Sequence, residues 1–190
     1  MKHGWLLLAI ALGLGGGAAA CRSEPAGAGC PGVESSSPPI DPPVMAFLSA
    51  ARALHHEADI REAEGDLPGA IAALERLVAT SAPRAVEVDE VLADARARLA
   101  ELRLERGDVE GAQREVEQGL QHAQGPTYFR GHLLEVEGRV EERRAAALGD
   151  AGHGAEAAKV RAHAVSLLEE AVRVQEQVIE HALADGGARD

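Results

Sequence analysis

A glycine–aspartate pair recurs at 65–66, 107–108 and 149–150, an interval of 42 residues each time. Glycine ends a helix by entering a left-handed conformation that other residues avoid, and aspartate caps the helix that follows. A fixed interval of this size between helical runs leaves room for one helical hairpin per unit, which is how stacked-hairpin proteins are written in sequence.

The runs between the pairs have helical periodicity. Phe47, Ala51, Leu54 and Ala58 step by three and four, as do Val88, Leu92, Ala95, Leu99 and Leu102, and then Phe129, Leu133, Val136 and Val140. Val160, Ala164, Leu167, Ala171, Val174 and Val178 hold a heptad-like step. Each set marks one apolar helix face. Breakers separate them: Asp41-Pro42, Gly65-Asp66-Leu67-Pro68, Ala82-Pro83, Gly107-Asp108, Gly125-Pro126 and the stretch from Gly149 to Gly154. The expected architecture is all-α, with six helices at about 44–64, 67–80, 85–106, 109–123, 127–148 and 155–184 in three hairpins. Asp41 is expected to cap the first. Residues 44–185 are expected to form the folded domain and 186–190 a disordered tail.

Composition agrees. Aromatic residues make up 2% of 190 positions, too few for a sandwich or barrel. Alanine, with 38 positions, biases the chain toward helix. The formal charge of -12 argues against nucleic-acid binding, which needs a basic face.

The first twenty residues read as an address. Met1-Lys2-His3 is cationic, Trp5 to Leu14 is apolar apart from Gly13, and small residues follow to Ala20. This is the layout of a secretory signal peptide, 1–20. It is short and glycine-rich for a membrane span, which needs about 20 apolar residues. Ala18-Ala19-Ala20-Cys21 resembles the lipobox of bacterial lipoproteins, with Ala18 where that family usually has Leu. The resemblance implies a lipid on Cys21. Ala18-Ala19-Ala20 also fits ordinary A-x-A cleavage, and Cys21 and Cys30 could then close a small disulfide loop. Arg22 stands where Asp would retain such a protein at the inner membrane, so the expected location is the outer membrane, facing the periplasm. Residues 21–43 carry six of the nine prolines together with Gly27, Gly29, Gly32 and Ser35 to Ser37, a tether that cannot bury a core.

The repeat units resemble the tetratricopeptide repeat. Ala58, Gly65-Asp66-Leu67, Ala70-Ile71, Leu74 and Leu77-Val78 carry the likeness in the first unit. Leu99-Ala100-Glu101-Leu102, Gly107-Asp108-Val109, Ala112, Val116 and Leu120 carry it in the second. The 42-residue period exceeds that family's usual value of roughly 34 and is closer to repeats of the kinesin-light-chain type, which Leu167 to Glu176 also resemble. The family's aromatic fillers are replaced by Leu, Val or Arg, and Glu57 occupies a usual Leu position. The resemblance implies a right-handed αα-hairpin solenoid of about three repeats. Generic helical hairpins are the alternative.

Motifs of catalysis do not assemble. The glycines from Gly13 to Gly17 imitate a dinucleotide loop, but they lie in the signal segment with no strand before them. His163 and Ser166 share a helix face without a third partner. Seven histidines follow residue 21, at 55, 56, 122, 132, 153, 163 and 181, with no H-x-x-x-H pair; His55 and Asp59 have that spacing, but one histidine with one aspartate is a weak ligand set. No enzyme activity and no cofactor are expected. In tetratricopeptide proteins the first helix of each pair lines a concave groove. Carried over by motif, that face holds Arg52, His55, Asp59, Glu62, Asp94, Ala97, Glu101 and Glu105, with Arg139 and Arg143 from the third unit. Arginines sit three or four residues from acids, as Arg98 from Glu101 and Arg114 from Glu110, so pairs along single helices are expected. The last helix is expected to pack on the fifth, the alternative being a second copy.

The function expected is a lipid-anchored, non-enzymatic scaffold that holds a peptide or protein partner with a basic face. The alternative is a periplasmic ligand- or metal-binding helical protein that uses its histidines. Labelled palmitate is expected to enter the wild-type chain in cells and to be lost in Cys21→Ala; an unlabelled wild type removes the anchor.

Overall fold

The computed structural model describes residues 41–187. They form six α-helices: α1 (Pro42–Ala63), α2 (Leu67–Val78), α3 (Val86–Glu105), α4 (Val109–His122), α5 (Tyr128–Asp150) and α6 (Gly154–Gly187). No strand occurs among the described residues. The expected signal 1–20, Cys21, Cys30, the expected tether as far as residue 40 and residues 188–190 lie outside them.

One expectation changes at the first helix. The helix begins at Pro42, because proline at the first helical positions sacrifices an amide that has no intrahelical partner. Asp41 holds the N-cap position but its side chain makes no cap bond. One of the two amides that it would accept from belongs to Pro43, which has no N–H.

The turns after α1 and α3 are built alike. Gly65 and Gly107 have φ of 77° and 79°. Gly65 N–H donates to Glu62 O (2.9 Å) and Asp66 N–H to Arg61 O (2.8 Å); Gly107 and Asp108 repeat this onto Leu104 and Arg103. This is the Schellman closure, which satisfies the last carbonyls of the helix. Each aspartate then turns its carboxylate back to cap the next helix. Asp66 Oδ1 accepts from Gly69 N (3.0 Å) and Asp108 Oδ1 from Gly111 N (2.8 Å). Arg61 and Arg103 clamp the other carboxylate oxygen.

The third turn is not where the 42-residue interval put it. Helix α5 runs on through Gly149 and Asp150, and the positive φ (81°) falls on Gly152. His153 takes the aspartate's place, its N–H closing onto Leu148 O (2.9 Å). The glycine that can follow the closure sets the turn, and a histidine supplies no carboxylate to the next helix. Four residues beyond each turn lies a buried alanine: Ala70, Ala112 and Ala157.

Each helix packs on its chain neighbours, and α3 also packs on α1 and α5, so α3 is central. Val44, Phe47, Ala51, Leu77, Val88, Leu92 and Ala95 fill the start of the core. Ala100, Leu104, Ala112, Val116, Val136 and Val140 fill its middle. Among the helices α6 packs on α5 alone, through Leu167, Ala171 and Val174 against Leu134. Gly138 admits Leu168 at a distance that a side chain there would close off. Helix α6 extends past its expected end at residue 184. No helix of the described residues is long and apolar enough to cross a membrane.

One charged pair is largely buried. Glu115 of α4, 8% exposed, holds Arg96 of α3 at 2.5 Å and Arg103 at 3.5 Å. Arg103 also reaches Glu75 of α2 at 2.7 Å, so one guanidinium ties three helices.

The Gly111 N–H, aided by Arg103, holds the Asp108 carboxyl below its ordinary range. A depressed carboxylate stabilises above its unfolded-state pKa, and that stability goes as pH falls through the lower, folded-state value. Asp108→Ala is therefore expected to cost about 1 kcal/mol near neutrality. The loss should shrink in acid, as pH falls below the ordinary aspartate range and through the lowered folded-state value. Urea unfolding at several pH values checks both.

Candidate functional site

A concavity of about 620 Å³ is walled by α1, α3 and α5, the first helices of the three hairpins. Glu62 comes from α1. Asp94, Arg98, Glu101, Leu102, Leu104 and Glu105 come from α3. His132, Arg139, Glu142 and Arg143 come from α5. The central position of α3 makes it the floor.

The eight residues expected on this face divide. Glu62, Asp94, Glu101 and Glu105 line the cavity, and so do Arg139 and Arg143. Arg52, His55 and Asp59 lie on a shallower surface of α1 with Ser49, Ala53 and His56, and Asp59 also shares a hollow with Glu62 and Arg98 of the cavity. Ala97 is 1% exposed and packs with Ala93, Ala123 and Leu133, so it offers no surface to a ligand. It faces the core because its position also abuts the α4–α5 connection. Arg98, His132 and Glu142 line the cavity without having been singled out for the groove. Arg98 could have been found, since it lies one helical turn from both Asp94 and Glu101.

Charges meet across helices more than along them. Arg98 binds Asp59 (2.6 Å) and Glu62 (2.8 Å) of α1, not Glu101. Glu101 is held by Arg139 of α5 at 2.5 Å. Glu110 pairs with Arg144 of α5 (3.3 Å) and not with Arg114. Arg144 with Glu141 is the one ion pair at i,i+3 or i,i+4 spacing among the described residues. Helix packing brings the neighbouring helix's carboxylate as close as one on the same helix, and each bridge joins two elements. The groove is accordingly less acidic than its residue list suggests. Glu105 and Glu142 have no ion-pair partner among the described residues, and neither does Arg143.

Three histidines reach carboxylates of α3. His55 of α1 stands 3.9 Å from Asp94, His122 of α4 is 2.8 Å from Asp89, and His132 of α5 is 3.8 Å from Glu101. Burial pushes the His55 pKa down, against the pull of Asp94. Glu101 draws the His132 pKa up, against burial. The same contact, with Arg139, holds the Glu101 carboxyl low. Each of the three has one carboxylate at ion-pair distance. No group of three or more His, Cys, Asp or Glu placed to hold a metal occurs among the described residues.

Beside the α4–α5 connection lies a smaller, more apolar notch lined by Ala85, Val86, Ala93, Ala123 and Phe129. A second notch lies beside Phe47, Ala82 and Pro83, near the corresponding connection one unit earlier. Comparison of the chain with protein-family models, with curated protein sequences and with solved structures finds no match.

A double-mutant cycle on Glu101 and Arg139 is expected to give a coupling of about 0.5–1 kcal/mol, the scale of a half-exposed pair. The cycle on Glu101 and Arg98, neighbours on one helix, should give nearly none. Equal couplings in chemical denaturation would contradict the cross-helix arrangement.

Proposed function

We propose that this chain is a non-enzymatic scaffold, anchored by a lipid on Cys21 and held off the membrane by the proline-rich tether, at the periplasmic face of the bacterial outer membrane. Its three hairpins are read as tetratricopeptide-like repeats in a right-handed solenoid, and the concave face of α1, α3 and α5 as the place where a peptide or protein partner lies.

The observation that carries this reading is the cavity of about 620 Å³ to which all three first helices contribute. A concave face built from successive helices is the usual recognition surface of stacked hairpins. Its specificity follows from what remains unneutralised. Asp59, Glu62 and Glu101 are already committed to arginines. Asp94, Glu105 and Glu142 are the cavity acids that no arginine holds, and Arg143 lines the same cavity. A partner with a basic side chain for the two glutamates and an acceptor for Arg143 complements this end of the groove. The buried Leu102 and Leu104 supply a small apolar floor.

The test is capture from envelope extracts with a photo-crosslinking residue in place of Arg143, followed by affinity measurement on the captured protein. Glu105→Lys with Glu142→Lys is expected to weaken that affinity by about tenfold or more, since charge reversal adds repulsion to a lost contact. Unchanged affinity overturns the groove assignment.

A further inference from the structure

We propose that His132 sets the charge of this groove by competing with Arg139 for Glu101, so that a protonated imidazole frees the Arg139 guanidinium into the cavity. The consequence for binding rests on the groove reading above; the exchange of partners stands without it.

Three features carry the inference. First, one carboxylate oxygen faces two basic side chains. Glu101 Oε1 lies 2.5 Å from Arg139 Nη1 and 3.8 Å from His132 Nε2. The second separation is an ion-pair distance beyond hydrogen-bond reach, so the ring stands beside Glu101 without holding it. Second, His132 Nδ1 is buried with no hydrogen-bond partner. A neutral ring can leave that nitrogen as a lone pair and keep its proton on Nε2. A protonated ring puts an N–H there with no acceptor, which is costly in a buried place. Protonation therefore favours turning the ring toward the acids in front of it. Third, those acids outnumber the bases around the ring. From α3 come Glu101 and Asp94, and from α5 comes Glu135, with Arg139 near on the same helix. Tyr128 of α5 packs its ring 6.2 Å away. Helices α4 and α6 meet α5 elsewhere, at Leu133 and at Gly131 and Gly138, and their nearby acids Glu115 and Glu170 are paired with Arg96 and Arg130.

Proton balance is simple. One proton from solvent goes onto the imidazole, no bond between heavy atoms changes, and the cavity gains one unit of positive charge. The Glu101 carboxylate already raises the affinity of the ring for that proton, which moves the change toward neutral pH. A basic partner is then held at higher pH and released at lower pH, several-fold more weakly.

Nuclear magnetic resonance on the purified chain tests the exchange directly. Between about pH 5 and 8, the His132 ring signal and the Arg139 Nε–H signal are expected to move with one midpoint. The Arg139 movement should vanish in His132→Gln, and Glu101→Gln should lower the His132 midpoint. An Arg139 signal that stays still while His132 titrates overturns the proposal. The binding arm uses a fluorescent oligolysine peptide. Weaker binding at about pH 6 than at about pH 8 in wild type, and none of this dependence in His132→Gln, supports the switch. Equal affinities at both values overturn the switch and leave the groove standing. No binding at either value counts against the basic-partner reading instead, and the resonance arm then decides the exchange alone.

Discussion

Helices in this domain approach one another through alanine and glycine, and the rest of the structure depends on that closeness. Close to half of the buried apolar side chains are alanines, among them Ala58, Ala70, Ala93, Ala97, Ala100 and Ala112. Phe47 is the one buried aromatic among the described residues. Small residues make little hydrophobic area each, so stability comes from many short-range contacts rather than a few bulky anchors. A Cβ on Gly119 would meet Leu133 at 2.6 Å. Overfilling such a site forces side chains off their rotamers.

The same closeness decides the electrostatics. When helix surfaces approach, a long arginine reaches the next helix as easily as its own next turn. Arg98, Arg103 and Arg144 all do so. These exposed or half-exposed pairs add little stability each. What they do is fix which helix faces which, and they remove several acids from the groove's free charge. The Arg96–Glu115 pair is different, because desolvation makes the loss of either partner costly. Arg103, shared between Glu75, Asp108 and Glu115, ties the second turn to the packing of α2, α3 and α4.

Helix α6 differs from the others by facing only α5. Its inner stripe is covered, while Val165, Val172, Ile179 and Leu183 remain exposed. The first three recur every seventh residue, so a second apolar line runs beside the buried one. The heptad visible in sequence was thus spent on α5, and the outer line is a separate feature of the longest helix.

Much of this was legible without coordinates. Local rules wrote the helices: apolar steps of three and four, proline at the start of α1, glycine at the ends of α1, α3 and α4. The two true Gly-Asp turns were legible because both of their functions, left-handed backbone and carboxylate cap, are properties of single residues. The third was misplaced because Gly149-Asp150 satisfies the pattern equally well, and only the continuation of α5 shows that Gly152 does the turning. The resemblance to tetratricopeptide repeats assigned Glu62, Asp94, Glu101 and Glu105 to one face, and these four line one concavity. Ala97 could not be excluded from it, because burial depends on the α4–α5 connection above it. Tertiary structure alone decided which arginine neutralises which acid and which glutamates stay open, since a charge pairs with whatever packing brings near. Chain order determined the helices and their sequence of hairpins; distances between helices determined the groove's charge.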